Sequence, residues 1–390
     1  MSACVVSIGD ELLRGVSTDT NSAWLASRLL EMGYRTGTFN CLPDDKATIA
    51  RKLKQLANEF SIIIVSGGLG PTMDDVTRDA AAEAFYAPLE LRPEVVDDIR
   101  CQFVSRGLDM PPRNRRQAEV PKGAEVMRNS IGTACGFYFP RGDKAVFFMP
   151  GVPREMKKMF DESVAPLLLE WKEGQKERQH VVTKKLAVYG IGESALEERL
   201  GDLSSTKTNP AIGFSCSPGL NTIHIIAEGD QAEELAAEME RKVRAIVGRN
   251  IVGKSGETPA EAVISRAFNK QWNIAIIDLA TGGYLVSELT KSMEGEQERV
   301  LAGAEVYSPS EMNLEWGDEL RKRAQKVLNE RAADVALVVF HNAEEEKAPI
   351  ALATDKRTRM SEVPFLRGRR DLRQRITNYA LAELWAFIEA

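Results

Sequence analysis

With 390 residues, 43% of them apolar and 28% charged, the chain can build two or three ordered domains, and its composition excludes a disordered protein. A formal net charge of −6 gives no strong nucleic-acid signal, because a nonspecific binder carries a basic surface. No apolar run approaches the ~18–20 residues that span a bilayer, and five cysteines without C-x-x-C spacing exclude a disulfide framework or a zinc knuckle.

The elements alternate from the start. Ala3–Ile8 reads as a strand that follows no basic leader, which predicts an unexported, cytoplasmic chain. Asp19-Thr20-Asn21 offers N-cap chemistry for a helix that runs to Met32 and closes at Gly33. Thr36–Leu42 reads as a strand. Lys46–Asn58 is an amphipathic helix with Ile49, Leu53 and Leu56 on one face. Ser61–Val65 is a β-branched run without alternation, as in a parallel strand buried on both faces. Helices are expected at Asp74–Phe85 and Pro93–Arg106, a polar stretch at Pro111–Gln117 and a strand at Glu125–Arg128. A hairpin joins Phe137–Phe139 to Ala145–Met149 through Pro140-Arg141-Gly142-Asp143, and a long helix runs from about Arg154 to Trp171.

The charged stretch Lys172–Gln179 marks a boundary. Beyond it lie strands near Lys185–Tyr189 and at Thr222–Ala227, a helix after Gly192-Glu193-Ser194, and a helix at Ala232–Val247. The last segment starts near Thr258-Pro259. It holds a helix at Ala260–Asn269, strands at Ile274–Ile277, Ala333–Phe340 and Pro349–Ala353, and a terminal helix at Asp371–Glu389. This predicts three α/β domains at 1–171, 180–252 and 257–390, the first an open sheet between helical layers. Three of the cysteines, in apolar or strand-like context, are expected to be buried thiols, in keeping with a reducing compartment.

The strongest chemical signal is Gly67-Gly68-Leu69-Gly70-Pro71-Thr72-Met73-Asp74-Asp75-Val76-Thr77, which follows the buried strand. Ligands bind at the carboxyl ends of parallel strands. Glycines allow close backbone approach, and amides at a helix start favour an anion. Carboxylates beside a phosphate require a cation between them, which makes Asp74 and Asp75 candidate ligands of Mg²⁺ or a similar ion. The same segment also reads as a capping box, Thr72-x-x-Asp75, over a tight turn. No Gly-Lys-Ser/Thr follows, so it is not a P-loop.

Further polar groups fall where the sheet would end. Asp10 and Glu11 follow the first strand, and Asp44 and Asp45 the second, where a solvated turn is the alternative. Asp19 suits either an N-cap or, with Asn21, a ligand contact. Asn114 and Gln117, beside arginines, suit phosphate or base edges, or an ordinary surface. Gly151 in Pro150-Gly151-Val152-Pro153 would form another wall. Arginine clusters stand at Arg113, Arg115 and Arg116 and at Arg367, Arg369, Arg370, Arg373 and Arg375. His180, His224 and His341 are too scattered to form a metal site, and no G-x-S-x-G elbow is present.

The motifs Gly9-Asp10-Glu11-Leu12-Leu13-x-Gly15, Asp19-Thr20-Asn21, Gly67–Thr77, Asn114-x-x-Gln117-Ala118, Asn129-x-x-Gly132-Thr133-Ala134 and Pro150-Gly151-Val152-Pro153-x-Glu155-Met156 resemble the CinA family. The resemblance is strong over residues 1 to about 170 and continues more weakly through Gly190–Ser194. It implies a MoaB/MogA-like domain that hydrolyses ADP-ribose to AMP and ribose 5-phosphate with a divalent metal. It points to Asp75 and the Asp44/Asp45 pair as the working carboxylates, with Asp45 joining Asp74 and Asp75 on a Mg²⁺, Mn²⁺ or Co²⁺ ion, a monovalent cation as a further candidate, and Gly67, Gly68, Gly70 and Thr72 on the phosphates. A pterin-phosphate-binding or nucleotidyl-transfer protein, and a non-catalytic nucleotide sensor, are the other readings. The expected partner is a small nucleotide such as ADP-ribose, and the expected assembly a homodimer.

The resemblance also implies a nicotinamide mononucleotide deamidase domain at the C-terminus, with Glu-Ser-Cys-Thr-Gly-Gly as its signature. The matching stretch here is Asp278-Leu279-Ala280-Thr281-Gly282-Gly283, with Leu279 in place of the nucleophile. Met312 replaces the lysine of the later motif, Tyr307-Ser308-Pro309-Ser310-Glu311-Met312, and a glycine-rich stretch is lost around Phe340–Pro349. Gly368-x-Arg370-x-x-Arg373 is kept. The expectation is a kept fold without amidase activity, because neither nucleophile nor base is present. Ser287 or Ser308 would be the working serine if the region were aligned differently.

Overall fold

The apolar strand runs need burial on both faces, and a sheet between two helical layers supplies it. In a computed structural model that describes residues 2–141, 144–173, 180–293, 295–307, 317–342, 346–363 and 371–390, the chain divides into two compact units, Met1–Val181 and Val182–Ala390. Several sequence-marked positions lie outside the described residues: Gly142-Asp143, most of the charged stretch Lys172–Gln179, Ser308–Met312, Glu344-Glu345, and Arg367, Gly368, Arg369 and Arg370.

The first unit runs β1 (Ser2–Ile8), α1 (Asp10–Leu13), α2 (Thr20–Glu31), β2 (Arg35–Leu42), α3 (Lys46–Glu59), β3 (Ile62–Ser66), α4 (Thr77–Ala84), β4 (Leu89–Leu91) and α5 (Pro93–Val104). A 3-10 turn (Pro112–Ala118) leads to β5 (Glu119–Pro121), β6 (Glu125–Met127), β7 (Gly136–Arg141) and β8 (Lys144–Met149). The long helix is α6 (Pro153–Met159), which passes through a π-helical turn (Phe160–Val164) into α7 (Ala165–Glu173). The main sheet has the order β2-β1-β3-β8-β7-β6. β2, β1, β3 and β8 are parallel, and β7 and β6 close the sheet antiparallel.

Alternation sorts the strand side chains. Cys4, Val6, Ile63 and Val65 pack on one face with Ile49, Leu53 and Leu56 of α3 and the alanines of α4. Ala3, Val5, Ile62 and Ile64 pack on the other with Leu25 and Leu29 of α2 and with Met156 and Phe160. β1, β3 and β8 therefore show nearly continuous burial, whereas the edge strand β2 alternates, and four carboxyl ends meet at one sheet edge.

The second unit starts with β9 (Val181–Tyr189), α8 (Glu193–Leu200), β10 (Ala211–Ser217), β11 (Leu220–Glu228), α9 (Ala232–Val247) and β12 (Ile251–Val252), whose sheet order is β10-β11-β9-β12. It continues with α10 (Pro259–Lys270), β13 (Ile274–Leu279), α11 (Tyr284–Lys291), β14 (Leu301–Val306), α12 (Asp318–Glu330), β15 (Val335–Phe340), β16 (Pro349–Ala353), β17 (Thr358–Glu362) and α13 (Leu372–Glu389). These strands order β14-β13-β15-β16-β17. Ile274 and Ile276 face α10 and α13, whereas Ala275, Ile277 and Leu279 face α12.

The structure departs from the sequence reading in several places. The helix expected from Asp74 begins at Thr77, after the uncapped Val76, so Thr72-x-x-Asp75 is a loop closure and not a capping box. Only Cys4 and Cys135 are buried. Cys41 points outward on the alternating strand β2, Cys101 lies on the outer side of α5, and Cys216 sits at the exposed end of β10. β10, α11, β14, α12 and β17 were not anticipated, nor was the two-stranded ribbon of β4 and β5. Among the described residues, no helix is long and apolar enough to cross a membrane.

Asp278 shows how the turn after β13 is held. It is fully buried and accepts from the backbone N–H of Ala280 (3.0 Å), Thr281 (2.7 Å) and Gly283 (2.9 Å), and from the Thr281 hydroxyl. Asp278→Ala removes a charged acceptor and leaves these donors unpaired, an expected loss of about 3 kcal/mol. A shift in the urea unfolding midpoint of the second unit measures it; an unshifted midpoint would contradict the role.

Candidate functional site

Four parallel strand ends define the site. β1 ends at Ile8 and turns at Gly9 into Asp10 and Glu11. β2 ends at Leu42 and turns into Asp44. β3 ends at Ser66 and turns into Gly67-Gly68. β8 ends at Met149 and turns into Gly151. Gly9 N–H donates to Leu42 O (3.1 Å) and Gly67 N–H to Met149 O (3.0 Å), which locks neighbouring turns together. The result is a cleft of about 610 Å³ lined by Asp10, Glu11, Arg14, Asp44, Gly67, Gly68, Thr72, Asp74, Asp75 and Gly151.

The glycines here are steric necessities. Gly67 has φ +115°, and a β-carbon on it would lie 2.1 Å from the Ile8 carbonyl oxygen. Gly68 has φ +66°, and its β-carbon would lie 2.1 Å from the Thr77 hydroxyl, which itself donates to Gly67 O (2.9 Å). Gly70 does not line the cleft. A β-carbon there would strike the Asp75 carboxylate at 2.4 Å, so Gly70 makes room for Asp75.

Asp75 closes the loop. Its Oδ2 accepts from Thr72 N (2.8 Å) and Thr72 Oγ1 (2.7 Å), and its other oxygen takes part in neither bond. Asp10 and Asp44 brace each other. Asp10 N–H donates to Asp44 Oδ2 (3.0 Å) and Asp44 N–H to Asp10 Oδ1 (3.3 Å). Burial and the negative charges of Asp10, Glu11 and Asp75 push the Asp44 carboxyl above its usual range, despite the hydrogen bond from Asp10. Arg14 pairs with Asp10 at 2.6 Å and is the one basic side chain of the described lining.

A smaller recess of about 120 Å³ adjoins this cleft, sharing Ile8, Glu11 and Gly151, and holds Asp19 and Asn21. Asp19 is the N-cap of α2 and accepts from Ser22 N (2.9 Å) and Ser22 Oγ (2.6 Å). Burial alone would raise its carboxyl, but hydrogen bonds from Ser22, Ser7 and Asn21 outweigh it and hold the group below its usual range. Asn21 donates to Ser66 Oγ (3.0 Å) and Gly151 O (2.8 Å) and so ties α2 to the strand ends.

Besides Gly70, three expected site residues stand elsewhere. Asp45 is the exposed N-cap of α3, accepting from Thr48 N (2.8 Å), so Asp44 alone of that pair enters the cleft. Asn114 and Gln117 are buried and bond to each other (2.9 Å), because the 3-10 turn directs both side chains inward. Arg78 was missed. It is 1% exposed and donates to Leu69 O and to Gly70 O (3.3 Å), fixing the inner side of the glycine loop. Burial depresses its guanidinium, and Asp75 opposes the shift. Arg116 holds the outer side through Thr72 O (2.7 Å) and Asp79 (2.8 Å). A basic residue just after the helix start was the available signal for Arg78.

The five carboxylates share a cleft without forming a cage. Among the described residues, no three Asp, Glu, His or Cys side chains converge tightly enough to hold a metal unaided. Such a set suits a cation like Mg²⁺, which keeps several waters and takes one or two carboxylates together with phosphate oxygens.

Residues 4–170 match a family model described as "Probable molybdopterin binding domain", and residues 183–253 one described as "Damage-inducible protein CinA KH domain". A CinA-like protein of Geobacter metallireducens is 37% identical over 294 residues, covering 74% of this chain and 70% of the relative. A CinA-like protein of Thermomicrobium roseum is 34% identical over 344 residues, covering 87% and 83%. A crystal structure of the protein CinA from Thermoplasma acidophilum is similar at 27% identity, covering 43% of this chain and 99% of that one, with a TM-score of 0.40.

Two outcomes separate structural from chemical carboxylates. Asp45→Ala is expected to lower stability through the lost helix cap and to leave ligand binding at the cleft unchanged in titration calorimetry. Asp19→Ala is expected to cost ~1 kcal/mol at neutral pH. The folded pKa of Asp19 is depressed, so its stabilisation is present above the unfolded value of about 3.9 and is lost as pH falls through the folded value. Urea titrations at pH 7 and in the acid range should show the wild-type and Asp19→Ala curves converging as pH falls. Parallel curves would refute the assignment.

Proposed function

Because the chain belongs to the family of CinA-like proteins and carries a molybdopterin-binding-like domain at residues 4–170, we propose that its N-terminal cleft hydrolyses the diphosphate of ADP-ribose or a close relative, giving AMP and ribose 5-phosphate. The observation that carries this reading is the meeting of Asp10, Glu11, Asp44, Asp74 and Asp75 with the Gly67-Gly68 turn in one cleft. Crowded like charges are costly unless something neutralises them. A diphosphate alone would add negative charge, whereas a diphosphate carrying a divalent cation complements both the acidic walls and the glycine turn.

Asp74 and Asp75 are the residues that would hold such a cation, with Thr72 keeping Asp75 in place. When bound, the cation supplies charge neutralisation and a more acidic water. The chain's own groups do the rest. Gly67 and Gly68 admit the phosphate to the backbone, and Arg14 lies ready to contact its oxygens. Water oxygen bonds to one phosphorus, the bridging P–O bond breaks, and the departing phosphate keeps the bridging oxygen. Asp44, whose carboxyl is pushed toward holding a proton, is placed to take the proton that the water loses.

A second reading, binding of a pterin phosphate, has the description of the matched family model in its favour. Equilibrium binding of ADP-ribose against molybdopterin separates the two, since fold likeness alone does not assign a substrate. An amidase reading of residues 257–390 finds no chemical support at the expected position. Leu279 is fully buried against α12, and the neighbouring Asp278 is occupied by turn donors.

Three measurements test these readings. With Mg²⁺, Mn²⁺ or Co²⁺, the purified chain should release AMP from ADP-ribose, and EDTA should stop the reaction. Asp75→Asn should lower kcat by at least ~10-fold to 100-fold, the scale of disturbing a metal-site residue, with the fold intact by circular dichroism. Wild-type turnover by Asp75→Asn, or turnover that resists EDTA, would sink the first reading. The full chain should release no ammonia from nicotinamide mononucleotide; clear release, lost on Ser287→Ala or Ser308→Ala, would restore the amidase reading.

A further inference from the structure

The second unit contains a cavity of about 410 Å³ that the reading above does not use. That volume falls within the range of small-molecule sites. Its walls come from four places: the Gly190–Glu193 loop that opens α8, the β10–β11 turn from Cys216 to Asn221, Val363 after β17, and Arg375 and Tyr379 of α13. The walls are fixed to each other. Asn378 donates to Pro218 O (2.9 Å), Asn250 to Tyr189 O (3.0 Å), and Tyr189 meets Tyr379 edge to face at 5.6 Å.

The polar groups on these walls differ in kind and are spread around the cavity. Asn221 is only 8% exposed, and its amide nitrogen donates to Ile191 O at 2.7 Å. That bond fixes the orientation of the amide, and no described group donates to its oxygen, which stays an acceptor at the cavity wall. Arg375 supplies a planar cation. α8 begins at Glu193 with Gly192 as a cap that has no side chain to bond the first-turn amides. Glu193 adds a carboxylate, and Tyr379 an aromatic ring. A simple anion such as free phosphate suits Arg375 but is opposed by Glu193.

We infer that this cavity binds a nucleoside monophosphate. The phosphate falls to Arg375 and the open amides of α8. The ribose hydroxyls fall to Glu193, as carboxylates hold ribose elsewhere. The base falls against Tyr379, with Asn221 accepting from a ring N–H or amino group. The inference does not depend on the chemistry of the N-terminal cleft, because every group named lies between residues 190 and 379.

Hydrogen exchange of the full chain, with and without millimolar AMP, tests it directly. AMP should slow exchange at residues 190–196 and 216–221, while inorganic phosphate at the same concentration should not. Gly192→Phe should abolish that protection without loss of thermal stability, since a β-carbon at Gly192 meets no atom within 4 Å and the residue has an ordinary φ of −71°. Tyr379→Leu should weaken the protection while keeping the fold. Equal exchange with and without AMP in the wild type, or full protection in a folded Gly192→Phe variant, would overturn the assignment. Protection confined to residues 9–16 and 67–75 would overturn it as well, while leaving the reading of the first cleft standing.

Discussion

The turn after β3 has to pass against the end of β1, and the candidate site depends on that contact. Backbone meets backbone there without a side chain between, since a β-carbon on Gly67 would sit 2.1 Å from the Ile8 carbonyl. A planar peptide that turns its carbonyl one way turns the following N–H the other. Arg78 takes the carbonyls of Leu69 and Gly70 toward the interior, and Thr77 takes that of Gly67. With the carbonyls of Gly67 and Leu69 held on that side, the amides of Gly68 and Gly70 turn away from the interior, and Pro71, which follows Gly70, has no N–H. A buried guanidinium that bonds to carbonyl oxygens is costly. The cost is consistent with a loop whose backbone must stay in one arrangement for a ligand to find it.

Once the loop is fixed, the acidic residues around it divide by the company they keep. Asp45 and Asp19 each accept from an amide three residues on and serve as helix caps. Asp75 is half engaged, with one oxygen on Thr72. Asp10 and Asp44 hold each other's backbone and leave their charges in the cleft. The shift on Asp44 follows first from its partial burial and then from the carboxylates beside it. Groups shifted in this way inside a cleft are candidates for a functional role.

Much of the first unit was legible because its signals agree across levels. The β-branched run at Ile62–Val65, the Gly67-Gly68 punctuation and the amphipathic helix at Lys46–Glu59 all point to one open parallel sheet, and the carboxyl ends of its strands follow from that topology. The roles of individual polar residues were less legible. Asp44 and Asp45 are adjacent and chemically alike, and only the entry geometry of α3 decides which of them caps. Asn114 and Gln117 look like surface recognition residues, but their 3-10 turn directs both inward. Arg78 follows the motif by one residue, and no local rule marks an arginine as wholly buried. In the second unit, β14 and β17 are poor in β-branched residues, so pairing with neighbours defines them more than propensity does. α12 has a clear apolar spacing at Leu320, Ala324, Val327 and Leu328, a helix signal the sequence contained and the reading passed over.

Both units place a glycine-bearing turn at the carboxyl end of a buried parallel strand, yet the two turns have opposite chemistry. After β3 the carbonyls are tied inward, and the Asp75 carboxylate accepts from Thr72, so the turn stays open toward the cleft. After β13 a carboxylate from the strand itself, Asp278, accepts the amides of Ala280, Thr281 and Gly283. Those amides are then satisfied within the chain and cannot stabilise an oxyanion or a phosphate. The next side chain, Leu279, is turned into the core by strand alternation, so even a hydroxyl at that position would begin in the interior. The turn at residues 278–283 is therefore held as a whole, by the Asp278 carboxylate on its amides and by Leu279 in the core.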